Sequence, residues 1–207
     1  INAPYGVELH WTRLLDVLII ILALPLWPIV GKSMALYLAG GFISPLLGLV
    51  FFITILWALK PLARGDSARL SLITFFSQAS LASCFLLGRA DHQSLLALLA
   101  LIVIGWSIRI LLDPENKMHA IKAGIAAGIG LWVSIEFLLC IATICSFLAL
   151  MWVINGRQWA RVNKGFSLGA GGTIFLALLL EVPPADFFTP LYDSLSLVYV
   201  APLVLLA

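Results

Sequence analysis

Apolar runs of about 18 residues or more recur along this chain, and a helix needs roughly 20 such residues to cross the hydrocarbon core of a bilayer. The runs are continuously apolar and lack the period-two alternation of a barrel strand, so they predict helices. Composition agrees: 62% of the residues are hydrophobic and 11% charged, with a mean hydropathy of +1.11, against roughly 25% charge in a soluble domain. The expectation is an all-α, polytopic transmembrane helical bundle forming a single domain over residues 1–207. Cys84, Cys140 and Cys145 fall inside apolar runs without metal-site or redox spacing and read as small packing residues. No signal-peptide pattern is visible. The chain starts at Ile1 and stops inside an apolar run, so it is expected to be a fragment of a longer protein.

Candidate crossings are 36–59, 70–87, 94–112, 119–134, 137–154, 165–182 and the stretch from 195 onward, about seven spans in all. Basic residues near span ends stay on the cytoplasmic side. Lys60, Arg64 and Arg69 share one loop, Arg109, Lys117 and Lys122 lie in or beside a second, and Arg157, Arg161 and Lys164 fall in a third, nine of the 12 basic residues. Glu8, Asp16, Asp91, Glu136, Glu181, Asp186 and Asp193, seven of the 10 acids, occupy the alternate connections. This parity puts residues 1–35 and the Asp91 loop on the outer face, which is periplasmic in a bacterial inner (plasma) membrane. The run 14–30 should then not cross. Pro25 and Pro28 interrupt its hydrogen-bond ladder and Trp11 and Trp27 flank it, so it reads as an outer-surface or re-entrant helix. Residues 1–35 thus form an outer loop with an interfacial helix, and 36–207 hold the spans. Gly124, Gly128, Gly169, Gly171 and Gly172 read as sites of close helix packing rather than of broken helices.

Three polar clusters on the outer side could carry chemistry. Gly88-Arg89-Ala90-Asp91-His92-Gln93 offers a carboxylate and an imidazole side by side, suited to metal ligation or to acid and base work. In His10-Trp11-Thr12-Arg13-Leu14-Leu15-Asp16, helical geometry would turn His10, Arg13 and Asp16 to one face, where Arg13 could grip a phosphate. Glu136 lies where two short apolar runs meet, and an ionisable group at that depth is costly and by default a functional candidate. Each has a plainer reading as a solvated loop or a wet helix end. Glu181 and Asp193, around Pro183 and Pro184, read as solvated loop acids. No P-loop, dinucleotide fingerprint, G-x-S-x-G or zinc-protease signature is present, and nothing points to nucleic acid.

In their order along the chain these parts resemble the GT-C superfamily of membrane glycosyltransferases, especially oligosaccharyltransferase catalytic subunits and their bacterial relatives. The stretch from Pro4 to Asp16 looks like the end of that family's long outer loop, and Gly88 to His92 like its outer acidic motif. The resemblance implies transfer of a sugar from a polyprenyl-phosphate donor, on the outer face, to a lipid, glycan or protein acceptor. Together with the residue reading above, the expected catalytic residues are Asp91, His92 and Glu136, and the expected substrate-binding ones His10, Arg13 and Arg89. Family members use outer acids to hold a divalent metal such as Mg or Mn. Asp91 matches the first acid of their D-x-D-like motif, while Gln93 stands where the second acid would be, leaving His92 as a substitute ligand. The family's first span and first outer acid would precede Ile1, so this fragment alone is expected to be inactive. Two other readings remain: a polytopic transporter or channel using Glu136, Asp91 and His92, and a noncatalytic membrane scaffold.

Overall fold

The computed structural model describes residues 12–62, 73–74, 77–190, 192 and 195–205, and within them the chain is helical with no strand. The helices are α1 (Leu14–Ala23), α2 (Trp27–Val30), α3 (Lys32–Leu59), α4 (Ala79–Ser83), α5 (Gln93–Leu112), α6 (Lys117–Val133), α7 (Leu138–Asn155), α8 (Arg157–Glu181) and α9 (Leu197–Leu205). Tight helical turns at Ile135–Phe137 and Pro184–Asp186 complete the described elements.

Among the described residues, four helical segments are long and apolar enough to cross a bilayer: α3 with 28 residues, α5 with 20, Ile135–Asn155 with 21 and α8 with 25. They make this an integral membrane protein. The other three of the expected crossings are not confirmed among the described residues. The run 119–134 is helical as α6, whose 17 residues extend about 25 Å, at the lower limit for crossing a core of roughly 30 Å. In the run 70–87 residues 73–74, 77 and 79–83 are helical, the last as α4, and residues 70–72 and 75–76 lie outside the described residues. Ser77 Oγ donates there to the Thr74 carbonyl at 2.7 Å and Ser83 Oγ to that of Ser80 at 2.7 Å. Beyond 195, nine residues form α9.

The run 14–30 does not form a span-length helix. Its prolines explain where it breaks: Pro25 falls in the turn after α1, where its missing N–H and ring preclude helix continuation, and Pro28 sits in the first turn of α2, where neither matters. Gly31 then takes φ +80°, a conformation that favours glycine, and redirects the chain into α3. This folds α1 back on the N-terminal half of α3, with Ala23, Ala35 and Ala39 buried between them.

Contacts fix the helix directions. Ser44 of α3 meets Ser94 of α5 near one end, and Trp57 of α3 meets Trp106 and Arg109 of α5 near the other, so α3 and α5 run parallel. The turn from α5 to α6 and the turn at Glu136 reverse the chain. A further reversal at Gly156 makes α6 and α8 parallel as well, with Ala120 beside Gly165 and Gly128 beside Thr173. They pack extremely closely. A Cβ added at Gly124 would fall on the Phe166 carbonyl oxygen, and one at Gly169 on that of Ile121, so the close-packing reading holds for Gly124, Gly128 and Gly169. Gly172 faces open space, with nothing within 4 Å of an added Cβ. The core surrounds α6, where Ala123, Ala127 and Leu131 are buried against Val103 and Ile110 of α5 and Phe166, Ala170 and Ile174 of α8. Outward-facing Leu139 and Val153 of α7, each 78% exposed, present apolar surface suited to lipid.

These directions place Lys60, Arg109, Lys117, Lys122, Arg157, Arg161 and Lys164 toward one end, and Asp16, Asp91, Glu136 and Glu181 toward the other. The charge segregation read from the loops is therefore a feature of the described bundle. Arg64, Arg69, Glu8 and Asp193 lie outside the described residues.

Candidate functional site

The acidic end is organised by a proline. Pro45 inside α3 has no N–H to give the Gly41 carbonyl one turn earlier. That carbonyl accepts instead from the Gly88 N–H at 2.9 Å. A helix defect in an apolar setting needs such a substitute donor, and here the donor belongs to the loop carrying Arg89, Asp91 and His92. Ser44, next to the proline and wholly buried, donates its hydroxyl to the Arg89 carbonyl and lies 3.2 Å from the Ser94 hydroxyl. Gly88 takes φ +80° as the loop turns toward α5.

Held in this way, the loop presents a connected set of groups. The Asp91 carboxylate accepts from Arg89 through Nε at 3.3 Å and Nη2 at 3.1 Å, both on Oδ2. Its Oδ1 lies 3.1 Å from His92 Nδ1 and accepts from the Gln93 N–H at 3.4 Å. The other imidazole nitrogen, Nε2, faces the Glu136 carboxylate at 3.8 Å. Gln93 donates its side-chain N–H to Glu136 Oε2 at 2.7 Å, tying the α5 entry to the α6–α7 turn. His92 therefore stands between two carboxylates. Its side chain is 14% exposed, whereas Glu136 is 59% exposed at the tip of its turn. The imidazole is thus at hydrogen-bond distance from Asp91 and, at 3.8 Å, just beyond it from Glu136, so a small approach of Glu136 would let it relay a proton.

The turn at Glu136 forms because Ser134 is extended and its hydroxyl accepts from the Glu136 N–H, a helix-start cap. The sequence spacing located this turn correctly, and the carboxylate is at its wet tip rather than at depth.

Asp91, His92 and Gln93 share a cleft of about 550 Å³ with Thr12, Asp16 and Val133. Thr12 is fixed by donating its hydroxyl to the Trp132 carbonyl at 2.5 Å, and Trp132 Nε1 donates to Glu181 at 3.2 Å. The N-terminal segment and the Asp91 loop thus meet on one face, although they are separated by most of α1, α3 and the connection to α5. Of the residues expected on a single helical face, Asp16 lies in the first turn of α1, Arg13 is the exposed residue preceding it, and His10 lies outside the described residues. Arg89 is present but already engaged, with Nη1 on the Ser83 carbonyl at 3.3 Å in addition to its Asp91 bonds.

The arrangement does not fit the expected divalent ion. Arg89 occupies Asp91 Oδ2, His92 and the Gln93 N–H occupy Oδ1, and no group of three or more His, Cys, Asp or Glu suited to a metal forms among the described residues. No step is therefore routed through a metal. Sequence reasoning missed Thr12, Ser44, Pro45 and the tether made by Gln93. A Ser-Pro pair inside an apolar run was the available signal for the first loop contact, since it announces an unpaired carbonyl one turn back. No family model matches this chain, and neither curated proteins nor solved structures match it, so what the site does rests on its own geometry.

Proposed function

We propose that this chain is the core of a GT-C-type membrane glycosyltransferase that moves a sugar from a polyprenyl-phosphate donor to an acceptor on the outer, periplasmic face of a bacterial inner membrane. The observation that carries the reading is the Asp91–His92–Glu136 line on the edge of a cleft that opens at the acidic end of an apolar bundle. A lipid-linked donor needs an apolar wall for its tail and a polar pocket at the boundary for its head. An acceptor hydroxyl or amide needs a carboxylate or imidazole to take its proton as it attacks. Glu136, the exposed end of the line, receives that proton, and His92 spreads the charge toward Asp91. Arg13, exposed beside the cleft wall, is the cation open to a phosphate, while Arg89 holds Asp91 in place.

The finer topology belongs to the same proposal. Because α3 and α5 are parallel, the chain between Lys60 and Arg89 has to return through the thickness they span, which supports a crossing near 70–87. With α6 and the segment from 195 onward this gives about seven spans. A conduit is less well supported, because the polar groups gather at one end while Val103, Leu131, Phe166 and Ile174 close the interior with at most 2% exposure.

The test is a sugar-transfer assay with a polyprenyl-phosphate donor, using the full-length protein reconstituted in liposomes. Glu136→Gln and His92→Ala should each lower turnover by about 100-fold or more, the usual scale of lost acid–base assistance. Wild-type turnover in both variants would remove the site. Cysteine labelling at Ala90 and at Gly156 should occur from opposite sides of the membrane; labelling from one side would overturn the topology.

A further inference from the structure

The basic end holds a second feature that the proposed reaction does not use. Between α7 and α8 runs an apolar groove of about 330 Å³, walled by Cys145, Leu148 and Trp152 on one side and by Asn163, Phe166 and Ser167 on the other. It lies within the first three turns of α8, at the depth of the leaflet on the basic side. Arg157, Ala160, Lys164 and Ser167 recur at helical spacing and so share one side of α8. Ala160 and Ser167 line the groove, and Arg157 and Lys164 are exposed beside it, neither forming an ion pair among the described residues. Between them along the helix, the Asn163 side-chain oxygen is buried in the groove with no hydrogen-bond donor. A buried acceptor without a donor is costly, so its position marks where a ligand's donor group would fit. The α8 N-terminus, which follows Gly156, adds the positive end of a 25-residue helix.

We infer that this groove is a binding site for an anionic phospholipid whose headgroup carries hydroxyls, of the phosphatidylglycerol class. One acyl chain lies along Leu148 and Phe166, the phosphate sits between Arg157 and Lys164, and a headgroup hydroxyl donates to Asn163 Oδ1. Lys164 reaches the boundary along its apolar stem, and Trp152, half exposed, stands at the groove mouth where an indole suits the headgroup layer. Charge complementarity selects a lipid over a neighbouring apolar helix, which would bring no partner for either cation.

The test uses the full chain purified in detergent and examined by native mass spectrometry and thermal unfolding. Added lipids are phosphatidylglycerol and phosphatidylcholine, with inorganic phosphate as a separate arm. Phosphatidylglycerol should be retained in preference to phosphatidylcholine and should raise the unfolding temperature, while phosphate alone should not. Replacing both cations, in R157Q/K164Q, should weaken phosphatidylglycerol retention by about tenfold or more. Asn163→Leu keeps both charges and the fold yet should lower retention severalfold. Equal retention of the two lipids, or unchanged retention in the double variant, overturns the site. Stabilisation by phosphate as large as that by the lipid refutes the role of the groove. A dimer by light scattering that is lost in Trp152→Ala, with lipid retention unchanged, would assign the groove to a second copy instead.

Discussion

Replacing Gly124 by alanine adds one methyl group, and the structure says that α6 and α8 have to move apart to admit it. The new Cβ would overlap the Phe166 carbonyl oxygen and lie 2.8 Å from the Ala170 amide nitrogen. Both are backbone atoms of a continuous helix, so no side-chain rotation relieves the clash. Restoring ordinary separations requires a shift of roughly 1 Å between the helices, and a gap of that size forfeits a quarter to a half of each contact's attraction. A helix crossing this tight holds on the order of 50 heavy-atom contacts of about 0.1–0.2 kcal/mol each, so the expected loss is about 2 kcal/mol, within the usual range for overpacking. Gly172→Ala, two turns from Gly165 on the same helix, meets nothing within 4 Å. It should stabilise the helix by about 0.5–1 kcal/mol through the lower backbone entropy of its unfolded form. Thermal unfolding of both variants in one detergent gives the readout: Gly124→Ala about 4–8 °C lower than wild type, Gly172→Ala slightly higher. Wild-type stability in Gly124→Ala, or shifts of the same sign in both, would refute the α6–α8 packing.

Two further substitutions probe the two ends of the bundle. Arg109 lies 4.0 Å over the Trp57 ring and donates to the Trp57 and Gly105 carbonyls at 2.7 and 2.8 Å; lysine cannot reproduce this fork, so Arg109→Lys should cost about 1–3 kcal/mol in thermal unfolding and change the tryptophan emission. At the other end, Pro45→Ala restores an N–H that competes with Gly88 for the Gly41 carbonyl, so the loop should loosen and a cysteine at Ala90 should label severalfold faster than in the proline-containing parent; an unchanged rate would show that the proline does not hold the loop.

Long apolar runs revealed the membrane class and four of the crossings, and the alternation of charge between loops revealed which ends lie together. Helix length was less legible. The run 119–134 looks like any other apolar run, and only its Asn116 cap and extended Ser134 set its boundaries at 17 residues. The run 14–30 carried its own break in Pro25 and Pro28, but its folding back on α3 depends on three alanines whose small size has meaning only in the folded state. For the site, Asp91, His92 and Glu136 were legible because ionisable groups are scarce in such a chain. Their order was not: that His92 stands between the two acids depends on a contact across 43 residues of sequence between Gln93 and Glu136, and that Arg89 is spent on Asp91 rather than left for a phosphate depends on the local fold of the loop.

The proline and the charge line belong to one argument. A membrane helix with an interior proline leaves a carbonyl needing a donor, and the loop that supplies it is thereby held at a fixed height on the bundle. Here that loop is Gly88 to His92, so a backbone defect in α3 determines where the Asp91 carboxylate sits. Gln93, at the first turn of α5, then reaches the Glu136 turn, which joins the loop to α6 and α7. Thr12 closes the remaining side through the Trp132 carbonyl. Each contact is local and modest, yet together they bring three chain segments to one cleft without any long polar segment inside the bilayer. The polar residues are thus held by hydrogen bonds to backbone atoms that the helices could not satisfy themselves, which is why the site forms at a helix end and at a helix defect.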